Sequence, residues 1–238
     1  MPYTHAFYTD WIYWIALIPV LILTVYAQSQ VSGNFNKFSQ VPNRRRITGA
    51  QAAYELLRAH GIHDVAIQPC KGRLTDHYDP RNNTIYLSEG VYHAATVAAV
   101  GVACHEAGHA VQYAVGFAPV KLRTAIIPVT QFGSKFGFVA LMLGLVLYLQ
   151  PVFAIGIILF SLSALFQLIT LPVEFDASAR ALATIQGANI LDDEERQGAK
   201  KVLRAAALTY VAALLMSLVQ LLRYVLIFMG RSGRRNRR

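Results

Sequence analysis

His105, Glu106 and His109 stand inside an apolar run, "AAVGVACHEAGHAVQYAVG" at residues 98–116. On a helix, residues four apart lie on one face, one turn from each other. Both imidazoles can therefore converge on one ion. Glu106 is rotated about 100° from its neighbours, so it can face a water at that ion without binding the ion itself. This is the H-E-x-x-H arrangement of metal-assisted amide hydrolysis. Zinc takes nitrogen and oxygen ligands near tetrahedral geometry and lowers the pKa of a water toward neutrality. The expected chemistry is attack of a metal-activated water on a carbonyl carbon. Glu106 takes the water's proton as general base and passes it to the departing amine. The expectation is one zinc per chain. The blander alternative is a pair of hydrogen-bonded histidines with a structural glutamate in a membrane-adjacent helix.

Two histidines need a third protein ligand. The remaining histidines are scattered, at His5, His60, His63, His77 and His93, whereas Glu174 and Asp176 stand together in "LPVEFDASARA". Either carboxylate is a candidate. Asp176 could instead hold His105 or His109 by its other ring nitrogen, as outer-sphere carboxylates do.

Membrane helices must position these groups. The chain has 238 residues, of which 55% are hydrophobic and only 15% charged; a soluble domain carries roughly 25% charged residues. Four apolar segments read as spans: 11–27, 126–149 with Lys135 inside it, 152–171, and 206–229 with Arg223 near its end. Spans need about 20 apolar residues, and a long cation near a span's end can snorkel to the interface. A chain this small has no soluble interior for so much apolar helix. Gln150 and Pro151 mark a tight hairpin between the second and third spans. The first span reads as an uncleaved anchor, because "MPYTHAFYTD" lacks the basic residues of a signal peptide.

The formal net charge is +9. Its cations cluster at "NRRR", around Lys121 and Arg123, at Lys200, Lys201 and Arg204, and in the tail "GRSGRRNRR". These flank the spans, where anionic headgroups attract them. No nucleic-acid-binding module accompanies the charge, so no nucleic-acid partner is expected. The arginine tail favours a cytoplasmic C-terminus and the other basic clusters favour the reverse, which leaves the side of the active site open. Cys70 and Cys104 make no disulfide framework.

Between the spans, "TGAQAAYELLRAHG" (48–61) predicts a helix capped by Thr48 and stopped by Gly61. Residues 63–70 predict a strand, "DPRNN" a turn, 84–87 a second strand, and 92–115 the long helix bearing the histidines. A second polar region, 172–204, predicts a helix from "PVEFDASARALATI" and another opened by "DDEE" (192–195).

The pieces "ITGAQAA" (47–53), "LTDHYDPRNNTIYLSE" (74–89), "VYHAATVAAVGVACHEAGHAVQYA" (91–114) and "PVEFDASARAL" (172–182) resemble the neutral zinc metallopeptidases of bacterial membranes, the YugP-like family. More distantly the layout is similar to HtpX and the prenyl-protein endopeptidases. The resemblance implies His105, His109 and Glu174 as zinc ligands and Glu106 as base. The distant group carries Asp or Asn four residues after its ligand glutamate; here that position is Ser178, and Asp176 lies two residues after it. The resemblance also implies a gluzincin-like fold with a substrate held as an added strand, for which Thr84, Ile85, Tyr86 and Leu87 are the expected edge. Candidates for outer-sphere support or transition-state stabilisation are Asp176, His77, Tyr78 and Arg180.

The sequence thus predicts a mostly α membrane protein. About four transmembrane helices accompany a small α+β zincin-like metallopeptidase domain. The expected organisation is an anchor at 1–28, a zincin-like region at 29–122, a transmembrane hairpin at 123–171, a third-ligand region at 172–204, a last span at 205–230 and a basic tail at 231–238. The expected function is that of a zinc-dependent endopeptidase in the bacterial plasma membrane, acting on peptides or membrane proteins in contact with the lipid bilayer. The alternative is a non-catalytic membrane scaffold or chaperone-like protein with a structural metal site.

Overall fold

The structure, a computed structural model, describes the backbone of residues 3–235 and the side chains of residues 11–230. The basic tail expected at 231–238 lies outside the residues whose side chains are described. In chain order the elements are α1 (Tyr3–Phe38), α2 (Gly49–Ala59), β1 (Ala66–Cys70), β2 (His77–Asp79), β3 (Thr84–Ser88), α3 (Glu89–Tyr92), α4 (Val97–Ala114), α5 (Ala118–Val146), α6 (Gln150–Gly187) and α7 (Asp193–Arg235). The chain is mostly helical, and α1, α5, α6 and α7 are each long and apolar enough to cross a membrane. All four exceed the expected spans because polar sequence at their ends continues the helix. In α6 the helix runs through Pro172 rather than restarting after the span. A proline removes one intrahelical donor.

Two compact units divide the chain. The first takes the N-terminal stretch through Tyr26, Leu122–Thr170, and the stretch from Tyr210 onward. Its large apolar side chains face outward, among them Trp11, Trp14, Ile22, Val25, Phe132 and Ile158, as a lipid-facing surface requires. Within it α5 and α6 meet through glycines. A Cβ on Gly133 would lie 2.7 Å from the Leu162 side chain, and one on Gly156 would lie 2.6 Å from the Leu141 backbone nitrogen. Small residues let membrane helices approach where no hydrophobic effect drives them together. Arg223 sits over the Tyr13 ring, 4.2 Å from its centroid.

The second unit comprises Ala27–Lys121 and Leu171–Thr209. Its core joins Leu56, Leu57, Ile85, Leu87, Val100, Val111, Ile185 and Leu203, all buried. Thr48 caps α2 with a full capping box: its hydroxyl accepts from the Gln51 amide at 3.2 Å, and its own amide donates to Gln51 Oε1 at 2.8 Å. The helix expected at 92–115 is broken. Thr96 is extended and caps α4, accepting from the Ala99 amide. The carbonyls of Ala94 and Ala95 just before it accept from Gly49 and Asn43 instead of continuing a helix. The acidic cluster does open α7, with Asp193, Glu194 and Glu195 in its first turn.

The three strands form one sheet in the order β1-β3-β2, with β1 parallel and β2 antiparallel to β3. This corrects the expectation that Thr84, Ile85, Tyr86 and Leu87 form a free edge. They belong to the central strand, where Tyr86 pairs with Gln68 on one side and His77 on the other. Ile85 and Leu87, two apart and so on one face of the sheet, are fully buried in the core of the unit. The two free edges belong to β1 and β2.

Candidate metal centre

The centre is built where α4 meets α6 inside the second unit. Gly108 makes the approach possible: a Cβ there would stand 2.7 Å from the Ala177 carbonyl oxygen. With the backbones that close, side chains one turn apart on α4 reach the same point as a side chain from α6. His105 Nε2 lies 3.3 Å and His109 Nε2 3.7 Å from Glu174 Oε2. The three donor atoms all lie within 4.8 Å of one another. The imidazoles meet edge to face, with centroids 4.7 Å apart.

A tetrahedral zinc with ligands at about 2.0–2.2 Å sets its donors about 3.3–3.6 Å apart. The 3.3 Å from Glu174 to His105 falls on that edge, and the 3.7 Å to His109 exceeds it by about 0.1 Å. Two imidazole nitrogens and one carboxylate oxygen are also the donor types zinc takes when a fourth position stays open. The residues present therefore fit the ion.

Behind the donors, the far ring nitrogens are held. Ser178 Oγ lies 3.1 Å from His105 Nδ1. Gln112 Oε1 lies 3.0 Å from His109 Nδ1. The Gln112 amide nitrogen donates to the Val173 carbonyl at 2.7 Å and to Asp176 Oδ2 at 2.8 Å. Arg180 Nε donates to the same Asp176 oxygen at 2.6 Å, and its guanidinium lies 5.8 Å from the centroid of the Phe117 ring. Asp176 is thus one residue further from the histidines than a direct carboxylate–histidine contact, with Gln112 between.

Glu106 is 9% exposed and Glu174 3%. Burial works to lower the pKa of His109, but the hydrogen bond to Glu174 and the charges of Glu106 and Glu174 outweigh it, so the pKa is raised above the ordinary histidine value.

His77 and Tyr78 bond to residues of their own hairpin. His77 Nδ1 lies 2.8 Å from the Thr75 carbonyl, and its ring stacks on Tyr86. The Tyr78 hydroxyl donates to Asn83 Oδ1 at 2.7 Å. Burial, then Tyr113, Asp64 and Asp79, push that phenol up to about 12. Its ring leans on Tyr113 of α4, 5.5 Å between centroids.

Sequence reasoning overlooked Gln112 and gave Ser178 only as a departure from a pattern. A signal existed for Gln112. It is a polar residue three positions after His109 on an apolar helix, and residues three apart are neighbours.

A family model described as "Putative neutral zinc metallopeptidase" matches residues 13–229. The "Putative membrane protease YugP" of Bacillus subtilis (strain 168) is 45% identical over 213 residues, covering 90% of this chain and 95% of that protein. No solved structure matches. With four apolar helices of spanning length, a match across most of its length and two histidines meeting a buried glutamate, the chain is a multi-pass integral membrane protein that belongs to the neutral zinc metallopeptidase family.

Proposed function

We propose that the protein is a zinc-dependent endopeptidase of the bacterial plasma membrane with a zincin-like catalytic unit. The observation that carries this reading is the convergence of His105, His109 and Glu174 to within 4.8 Å, with buried Glu106 on the same helix. His105 and His109, through Nε2, and Glu174, through its carboxylate, would hold one zinc. When bound, the ion would polarise a water and the scissile carbonyl. Glu106 accepts the proton of that water during attack and delivers it to the amine nitrogen as the peptide bond breaks. Its burial keeps bulk water from competing for the transfer. A peptide would lie along the free edge of β2, the edge strand that packs Tyr78 against Tyr113 of α4. The β1 edge suits this less, because Pro69 has no N–H to donate.

The test is protein purified in detergent without chelator, analysed for metal and assayed on a peptide reporter beside Glu106→Gln. About one zinc per chain is expected. The variant should keep the zinc and lose on the order of 10²–10⁴-fold in rate. Cleavage by Glu106→Gln at the wild-type rate would remove Glu106 as base. Zinc without cleavage of any reporter would leave a structural metal site.

A further inference from the structure

Gln112 is completely buried in α4, and all of its amide's bonding is internal to the second unit. A primary amide has two chemically different ends, and its neighbours decide which end faces which way. Two acceptors, the Val173 carbonyl and the Asp176 carboxylate, converge on one end at 2.7 and 2.8 Å. Neither can donate, so that end must be the NH2. The other end, Oε1, is then an obligate acceptor, and it faces His109 Nδ1 at 3.0 Å. Nδ1 must therefore carry the proton. In the neutral imidazole this leaves the lone pair on Nε2, the nitrogen that faces Glu174 at 3.7 Å.

We infer that Gln112 is a positioning residue that selects the metal-binding tautomer of His109, locked in orientation by Val173 and Asp176. Arg180 completes the lock by donating to the same Asp176 oxygen, which fixes the carboxylate where Gln112 needs it. His105 is served differently. Ser178 can donate or accept, so it fixes the ring's position without dictating its tautomer. The inference rests on the proposed role of His109 as a zinc ligand. It adds a chain of dependence: Asp176 acts on the metal only through Gln112.

Three measurements test it. The first needs no variant and no metal. In the metal-free protein, 15N-labelled at histidine and held where the His109 ring is neutral, long-range nitrogen–proton correlation should find Nδ1 protonated and Nε2 bare. A neutral ring protonated at Nε2 overturns the inference. The second is zinc affinity by competition with a chromogenic chelator. Gln112→Met and Asp176→Ala should each weaken binding about 10–100-fold. The double variant should be no weaker than Gln112→Met alone, because residues acting in series are not additive. Multiplied effects would show that Asp176 acts independently and would refute the relay. The third is rescue. Asp176→Asn can keep a carbonyl oxygen on Gln112 and Arg180, so it should stay within about threefold of wild type, whereas loss equal to Asp176→Ala counts against the lock. This arm also serves if Gln112→Met does not fold. Failure of the wild-type protein to bind zinc would defeat the ligand reading, while the tautomer measurement would still judge Gln112.

Discussion

Replacing Gly108 by alanine adds one methyl group at the point where α4 touches α6. That methyl carbon would stand 2.7 Å from the Ala177 carbonyl oxygen and 3.3 Å from the Ala177 Cα. Ordinary contact begins near 3.4 Å, so the two backbones must part by about 0.7 Å. The obstacle is backbone, and no rotamer change can relieve it. Zinc sites hold their ligand distances to within about 0.2 Å, and Glu174 lies three residues before Ala177 on the same helix. The retreat thus carries Glu174 out of range of both histidines. We expect zinc affinity to fall on the order of 100-fold or more, beyond the usual effect of an outer-sphere change. Overpacking costs about 1–3 kcal/mol of stability, offset by about 0.5–1 kcal/mol for replacing a helical glycine. Gly101→Ala is the control. It lies on the same helix, and its Cβ would meet the Ala199 methyl at 3.2 Å, so it should leave zinc binding close to wild type. Chelator competition on both variants, with thermal melting of the metal-free forms, reads the result. Wild-type zinc affinity in Gly108→Ala would show that the spacing of α4 and α6 does not set the centre.

Glu174→Ala should abolish zinc retention on a desalting column, while Asp176→Ala keeps a weakened site; the reverse outcome would exchange their roles. The pKa of His109 is raised on folding, so its proton stabilises the metal-free protein fully below about pH 6.5, and that stability is lost as pH rises through the folded value. Zinc needs the same nitrogen unprotonated, so its affinity should climb over that range. The gap between zinc-loaded and metal-free melting temperatures should therefore widen from about pH 6 to pH 9, and a gap that narrows would contradict the assignment. Thr48→Ala removes the side-chain half of the capping box on α2, leaving the backbone amide's bond to Gln51 Oε1, and should cost about 1 kcal/mol, seen as a lower melting temperature with unchanged zinc stoichiometry.

The parts of the molecule readable from sequence are those whose cause is local. Apolar runs, the one-turn spacing of His105 and His109, the Thr48 cap and the acidic opening of α7 each depend on residues within a few positions. What escaped depends on distant partners. The order of the strands turns on β1 and β2 both choosing β3, which no run of residues encodes. The place of Gln112 depends on a carbonyl 61 residues away and a carboxylate 64 away. Ser178 reaches His105 across 73 residues. The break before α4 had a local sign, Thr96, but the carbonyls it frees are taken by Asn43 and Gly49 from elsewhere in the chain.

The brevity of β2 limits how firmly a peptide could be held along it. A strand of three residues turns the donors and acceptors of only about one or two residues outward, since antiparallel pairs alternate. Each such bond contributes about 0.5–1.5 kcal/mol net, while association alone costs at least about 4 kcal/mol in lost freedom. A soluble peptide would therefore dwell only briefly on this edge. A substrate embedded in the same bilayer would already have given up part of that freedom, and so would meet this edge at a lower entropic cost. If the proposed function holds, co-residence in the membrane, more than the sequence around the cut, would favour one substrate over another.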